Sequence, residues 1–120
     1  MAIGKLGCTS GSGIETSFTI HSIYDVLDVI RQKPGIYIGS TTISNLRMFL
    51  CGFDTSMYCF DVQYEIEKPD FGTFGAFVFA HYGLKESAIG WANCILEQCN
   101  GIEEDAFCTF YEILDRFRSK

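Results

Sequence analysis

A helix–proline–helix unit in residues 22–53 constrains the fold more than any other part of the chain. Ser22 suits a helix N-cap, and Asp25 three positions later suits the capping box. Pro34 ends the helix that begins after Ser22. One apolar face of this first helix is formed by Ile23, Val26, Leu27 and Ile30. The apolar connector 35–40 contains Gly35 and Gly39, which tolerate a positive φ. The unit therefore predicts two packed helices joined by a tight turn.

The second helix begins after Thr41 or Thr42 and carries an apolar stripe at helical spacing. The stripe consists of Ile43, Leu46, Leu50, Phe53, Met57 and Phe60. Residues 61–67 then alternate polar and apolar side chains, which is the period of a β-strand. The same residues also fit a frayed helix end, so the sequence leaves a short extended segment open here.

Three further helices are predicted in the second half. Asp70 caps the third, which ends at Gly83, and Ser87 begins the fourth, which ends at residues 100–101. The last helix has acids in its first turn and bases in its last, which complements the helix dipole. We predict an all-α fold, a compact bundle of about five helices in residues 18–120. Residues 1–17 are expected to form a Gly/Ser-rich N-terminal lead.

Length and composition favour one soluble domain. The 120 residues are 48% hydrophobic, which is ample material for one core. No apolar run is long enough to span a bilayer, and the N-terminus lacks the basic and apolar regions of a secretory signal. We therefore expect a cytoplasmic protein.

The residue types that carry catalysis or bind metals are scattered. The six cysteines form no Cys-x-x-Cys pair and are interpreted as small core hydrophobes. His81, beside apolar helix positions, is interpreted as a core or boundary histidine, and His21 as solvated or part of a cap. Neither histidine has metal-ligand spacing. We expect no cofactor, no metal and no enzymatic activity, the alternative being a small enzyme that uses His81 or a cysteine such as Cys94.

The negative charge lies in the second half of the chain. Residues 1–60 hold four acids and four bases, whereas residues 61–120 hold eleven acids and five bases, which gives a net charge of −6. An acidic surface repels nucleic acid and membrane phosphates and attracts cationic proteins. The charge therefore favours a basic protein partner over nucleic acid or a membrane.

Residues 29–39, VIRQKPGIYIG, resemble a short segment of the ATPase domain of gyrase B and related type II topoisomerases. In that family the following helix carries a Glu and an Asn that handle water and magnesium. Here the second helix has Asn45 but no Glu follows it until Glu65, and the chain is too short for that α/β domain. The similarity is local, and ATPase activity is not expected.

A longer resemblance covers residues 22–118. The motifs are PGIYIG at 34–39, TISNLRMFLCGF at 42–53, SAIGW at 87–91 and an acidic-aromatic last helix at 105–117. They are similar to small bacterial immunity proteins of polymorphic and contact-dependent growth inhibition systems. The resemblance implies an antitoxin that binds a basic toxin nuclease domain and occludes its active or substrate-binding site. A regulatory protein-interaction module is a further alternative.

The acids of the second half are the candidate toxin-binding residues. They are Asp61, Glu65, Glu67 and Asp70 between the second and third helices, and Glu103, Glu104 and Asp105 in the last helix. Surface acids are commonly only solvated, and acids in a first turn stabilise a helix without any partner. For each residue, the structural interpretation therefore competes with binding.

Overall fold

The computed structural model describes residues 4–9, 15–62 and 68–119. In this part of the chain, six α-helices follow a β-hairpin. The elements are β1 Gly4–Thr9, β2 Glu15–Ile20, α1 Ile23–Gln32, α2 Pro34–Tyr37, α3 Ile43–Cys59, α4 Phe74–His81, α5 Gly90–Gln98 and α6 Glu103–Arg118, with a 3₁₀ turn at Phe71–Thr73 before α4. The bundle of about five helices is confirmed for this region, with α2 as a single extra turn.

The hairpin is the feature that the sequence did not indicate. Strands β1 and β2 pair antiparallel, with Gly4 opposite Ile20 and Thr9 opposite Glu15. Strand β2, ETSFTI, is rich in Thr, Phe and Ile, which fit a pleated strand. The glycines that precede it leave no alternation of polar and apolar residues that would predict a hairpin. Strand β2 spans the expected boundary between the N-terminal lead, residues 1–17, and the helical domain, residues 18–120. Its last residue, Ile20, is buried in the core against α1.

Local capping produces the helix–proline–helix unit. The Ser22 hydroxyl accepts from the amide of Tyr24, while the Asp25 carboxylate accepts from the amides of Ser22 and His21, which completes a capping box. Pro34 ends α1 but also begins α2, because proline suits a first helical position. The connector is therefore a short helix, and of its glycines Gly39 takes the positive φ, +83°.

Local hydrogen bonds cap helix α3, the second helix predicted from the sequence, at both of its ends. The Thr42 hydroxyl accepts from the amide of Asn45 at the start. At the end, Asp61 has a φ of 51° and the amide of Val62 donates to the Met57 carbonyl. Helical geometry thus stops before Phe60 can turn inward, and Phe60, predicted as core, is 80% exposed. Of the alternating segment 61–67, Asp61 and Val62 belong to the turn that ends α3, and residues 63–67 lie outside the described residues.

Aromatic side chains fill the centre of the bundle. The buried ring of Phe74 lies 5.4 Å from that of Phe110 and 5.2 Å from that of Phe117, both in edge-to-face contact. Trp91 of α5 closes the cluster, 5.4 Å from Phe74. Helix α5 begins at Gly90 and not at Ser87, because Gly90 has a φ of +82°, which a continuous right-handed helix from residue 87 would not allow.

Side chains of α1 and α6 form a polar seam. Arg31 of α1 forms a bidentate pair with Asp115 of α6, at 2.8 and 3.0 Å, and Arg118 of α6 pairs with Asp28 of α1 at 2.6 Å. The guanidinium carbon of each arginine also lies over a tyrosine ring, Arg31 over Tyr111 at 5.0 Å and Arg118 over Tyr24 at 4.7 Å. The two helices therefore exchange the same set of contacts.

Candidate functional site

The seven acids predicted to bind a partner fall into two groups. Asp61 and Asp70 flank the connection between α3 and the 3₁₀ turn, and both are exposed. Glu65 and Glu67 belong to the same stretch and lie outside the described residues. Asp70 also has a local structural role, because its Oδ1 accepts from the amide of Gly72 at 2.9 Å. The other group, residues 103–105, occupies the first turn of α6.

Glu103 is only partly exposed and points towards α3. Its Oε1 accepts from the amide of Ser44 at 3.0 Å, and its Oε2 accepts from the Ser44 hydroxyl at 2.6 Å. Ser44 lies in the first turn of α3, where amides have no helical partner. The carboxylate therefore caps α3 from a neighbouring helix and ties the two helix starts together.

Glu104 and Asp105 lie on the outer side of α6, together with Glu112. Positions four, seven and eight residues apart share one side of a helix, and the opposite side holds the buried Phe110 and Phe117. We call Glu104, Asp105 and Glu112 the α6 acidic face. Within the described ranges none of the three is ion-paired, since the ion pairs found there are Arg31–Asp115 and Arg118–Asp28.

The α6 acidic face is short, and one of its residues, Glu112, was not predicted from the sequence. It spans nine residues, 104–112, about 12 Å along the helix. Exposed Cys108 lies between its acids, and exposed Arg116 follows Glu112 by one turn and limits the face. Glu112 was not proposed from the sequence, although its spacing of seven from Asp105 was a usable signal. The face can attract cations through three clustered negative charges.

A second acidic site lies at the C-terminal end of α3. An open cavity of about 660 Å³ is lined there by Asp54, Met57, Tyr58, Cys59, Asp61 and Val62, which we call the α3 cavity. Tyr58 is 89% exposed, so its ring is accessible to a ligand. Asp61 was a predicted binding residue, whereas Asp54 and Tyr58 were missed because they lie in the first half of the chain, which has no excess of acids. An apolar groove along Met48, Phe49 and Phe53 occupies the other flank of α3.

The histidines do not form a catalytic cluster in the described region. His81, the last residue of α4, is exposed, so its interpretation as a core or boundary residue was wrong. The helix ends there and Gly83 turns the chain with a φ of +68°, which leaves the imidazole in solvent with its ring edge against Tyr82. His21 is exposed and its amide donates to the carboxylate that caps α1.

The cysteines only partly follow the core interpretation. Cys94 is buried, and burial raises the pKa of its thiol; Cys99 is half-buried, with its Sγ 3.5 Å from the hydroxyl of Thr109. The other three with described side chains, Cys51, Cys59 and Cys108, are exposed because they lie on the outer sides of α3 and α6. Across residues 4–9, 15–62 and 68–119, no three His, Cys, Asp or Glu side chains are grouped to hold a metal ion.

Asn45, the residue shared with the gyrase-like segment, has a structural role here. Its side-chain amide donates to the carbonyl of Ile38 and to the hydroxyl of Ser40, both at 2.9 Å. These bonds hold the connector against the first turn of α3.

Comparisons with protein-family models, with curated proteins and with solved structures returned no match for this chain. Among the helices described here, none combines the length and apolar character that a bilayer crossing requires.

Proposed function

We propose that this protein is a cytoplasmic immunity protein that binds a basic toxin nuclease domain and blocks its active or substrate-binding site. The observation that carries the proposal is the α6 acidic face, three exposed carboxylates on one side of a helix whose other side is packed in the core. Inhibition of this kind needs no chemistry from the inhibitor. It needs a stable surface of complementary shape and charge.

The charge of the face suits a nuclease cleft. Nucleases hold the phosphate backbone mainly through Lys and Arg side chains, and a row of carboxylates offers the same cations an alternative partner. Opposite charges also steer the two proteins together and raise the association rate, most strongly at low salt.

The packing of α6 keeps the face in one arrangement. Seven residues of this helix are buried, among them Phe110 and Phe117, whose rings contact Phe74. A side chain on a well-packed helix loses less freedom on binding than one on a loose segment. The face is therefore presented ready for association.

The first test is binding between this protein and a toxin nuclease domain, sought among the genes next to its own, measured by calorimetry. The double variant E104Q/E112Q removes two charges of the face, and we expect its affinity to fall about 10-fold, since electrostatic contacts at an interface commonly contribute a factor of that order. The matched control E86Q/E97Q removes two exposed glutamates outside the face and should bind within about 2-fold of wild type.

Growth of cells that express the toxin domain is the second test. Co-expression of the wild-type protein should restore growth, and E104Q/E112Q should restore it less well. Binding without rescue would support the regulatory module instead of an immunity protein. No complex at any salt concentration would reject the proposal.

A further inference from the structure

Two tyrosine–aspartate pairs in this protein each hold an arginine. On α1, Tyr24 and Asp28 are four residues apart and together take Arg118; on α6, Tyr111 and Asp115 have the same spacing and take Arg31. In both cases the ring lies under the guanidinium while the carboxylate pairs with its N–H groups. Spacing of four on a helix brings the two side chains to one side, about 6 Å apart.

Helix α3 carries a tyrosine and an aspartate at the same spacing, with the tyrosine exposed and not buried as Tyr24 and Tyr111 are. Asp54 and Tyr58 are again four residues apart, in reversed order, and both are exposed on the wall of the α3 cavity. None of the lining residues described there is a Lys or Arg, and Asp61 adds a second carboxylate. Exposed Arg47 lies two turns earlier on α3, and within the described ranges it makes no ion pair with Asp54.

We propose that Asp54 and Tyr58 bind an arginine side chain of the basic partner, with the guanidinium over the Tyr58 ring and paired with Asp54. This rests on the proposed function for the identity of the partner. Charge complementarity fixes the class of ligand, because the site offers an aromatic face and the Asp54 carboxylate to a cation. Arginine fits better than lysine, since its planar group stacks on a ring and forms two hydrogen bonds at once.

The site can be tested without the partner by NMR titration of the ¹⁵N-labelled protein with N-acetyl-arginine amide. We expect shifts at the backbone amides around Tyr58, and we expect D54N and Y58A each to reduce them. N-acetyl-citrulline amide, which has nearly the same shape but no charge, is the control ligand. Equal shifts with both ligands, or none at Tyr58, would overturn the proposal.

The second measurement uses the complex with the toxin domain. Y58A and D54N should each weaken binding about 10-fold, and Y58F, which keeps the ring, should stay within about 2-fold. The double variant D54N/Y58A should lose less than the product of the two single losses, because both residues contact one guanidinium. T55A, an exposed neighbour between the two, is the control and should bind as wild type.

The outcomes separate this inference from the proposed function. If E104Q/E112Q weakens the complex while Y58A and D54N do not, the arginine site is wrong and the inhibitory function stands. If N-acetyl-arginine amide binds at Tyr58 but no toxin complex forms, the site stands and the proposed function is wrong.

Discussion

Arg31 and Arg118 make equivalent contacts from opposite helices, and neither set is visible in the sequence. Both bases lie in the last turn of a helix, which by itself indicates only a favourable interaction with the dipole. In the structure each also bridges to a tyrosine and an aspartate about ninety positions away. The hydrogen bond to Asp115 is the main reason that the pKa of Arg31 is raised.

Tyr111 supplies a prediction at this scale. Its buried hydroxyl donates to the Leu27 carbonyl at 2.7 Å, and burial raises its pKa above the ordinary value of about 10. Below that value the proton is bound in both states and stability is unaffected. Above about pH 10 the unfolded chain loses the proton first, so the free energy of unfolding should fall by about 1.4 kcal/mol per pH unit for this group.

Tyr111→Phe isolates the effect. The variant should lose about 1 kcal/mol at pH 7, the value of one hydrogen bond, and should show a shallower decline between pH 10 and 11 than wild type. Urea unfolding at each pH measures both quantities. An equal decline in the two proteins would contradict the assignment to Tyr111.

At the scale of elements, the starts of α3 and α6 are held together by one carboxylate. Thr42 caps α3 from within, and Glu103 adds two hydrogen bonds to Ser44 from the first turn of α6. Two neighbouring acids in one turn thus differ in role, since Glu103 joins helices and Glu104 faces solvent. Only the packing of α3 against α6 creates this difference.

Glu103→Ala and Glu104→Ala form a matched pair that tests the division. Glu103→Ala should lower the free energy of unfolding by about 1–2 kcal/mol, because the amide of Ser44 and its hydroxyl lose a charged acceptor. Glu104→Ala should lower the free energy of unfolding by about 0.5 kcal/mol or less, because it removes only an interaction with the helix dipole. We expect Glu104→Ala to weaken toxin binding more than Glu103→Ala does. Thermal unfolding and calorimetry measure the two effects, and equal destabilisation would count against the contact.

At the scale of the whole molecule, the β-hairpin and the helical bundle contribute differently to the core. The described part of the helical bundle has a continuous core built on Phe74, Phe110 and Phe117. The hairpin adds Ile20, which is 1% exposed, at the point where β2 leads into α1. We therefore expect the bundle to depend on Ile20 more than on the first strand.

Two variants test this expectation. Deletion of residues 1–14 removes β1 and should leave the helical circular dichroism signal and a cooperative unfolding transition. Ile20→Ala in the full chain should lower the free energy of unfolding by about 2–4 kcal/mol, because it leaves a cavity in the core. Ile36→Ala, at a residue that is 55% exposed, is the control for the same substitution and should cost under about 1 kcal/mol. Loss of the helical signal on deletion would show that the first strand is required.

The local features of this chain could be predicted from its sequence, because caps, stops and periodicity act within a few residues. Ser22 and Asp25, Thr42 and Asp70 each cap the start of a helix or helical turn as expected, and the apolar stripes of α1 and α6 are buried. Of the predicted apolar face of α1, Val26, Leu27 and Ile30 are buried and Ile23 is partly buried. Such signals depend on backbone groups and helical spacing that the neighbouring residues supply.

The surface roles were decided by tertiary structure alone. Periodicity shows which side of a helix is apolar. It does not show which neighbouring element packs against that side, or at which residue the packing ends. For that reason Phe60 and His81 were expected inside, and Glu103 was grouped with Glu104. Glu103 differs from Glu104 because it contacts Ser44, which is 59 positions away in the sequence, and only the packing of α3 against α6 brings these residues together.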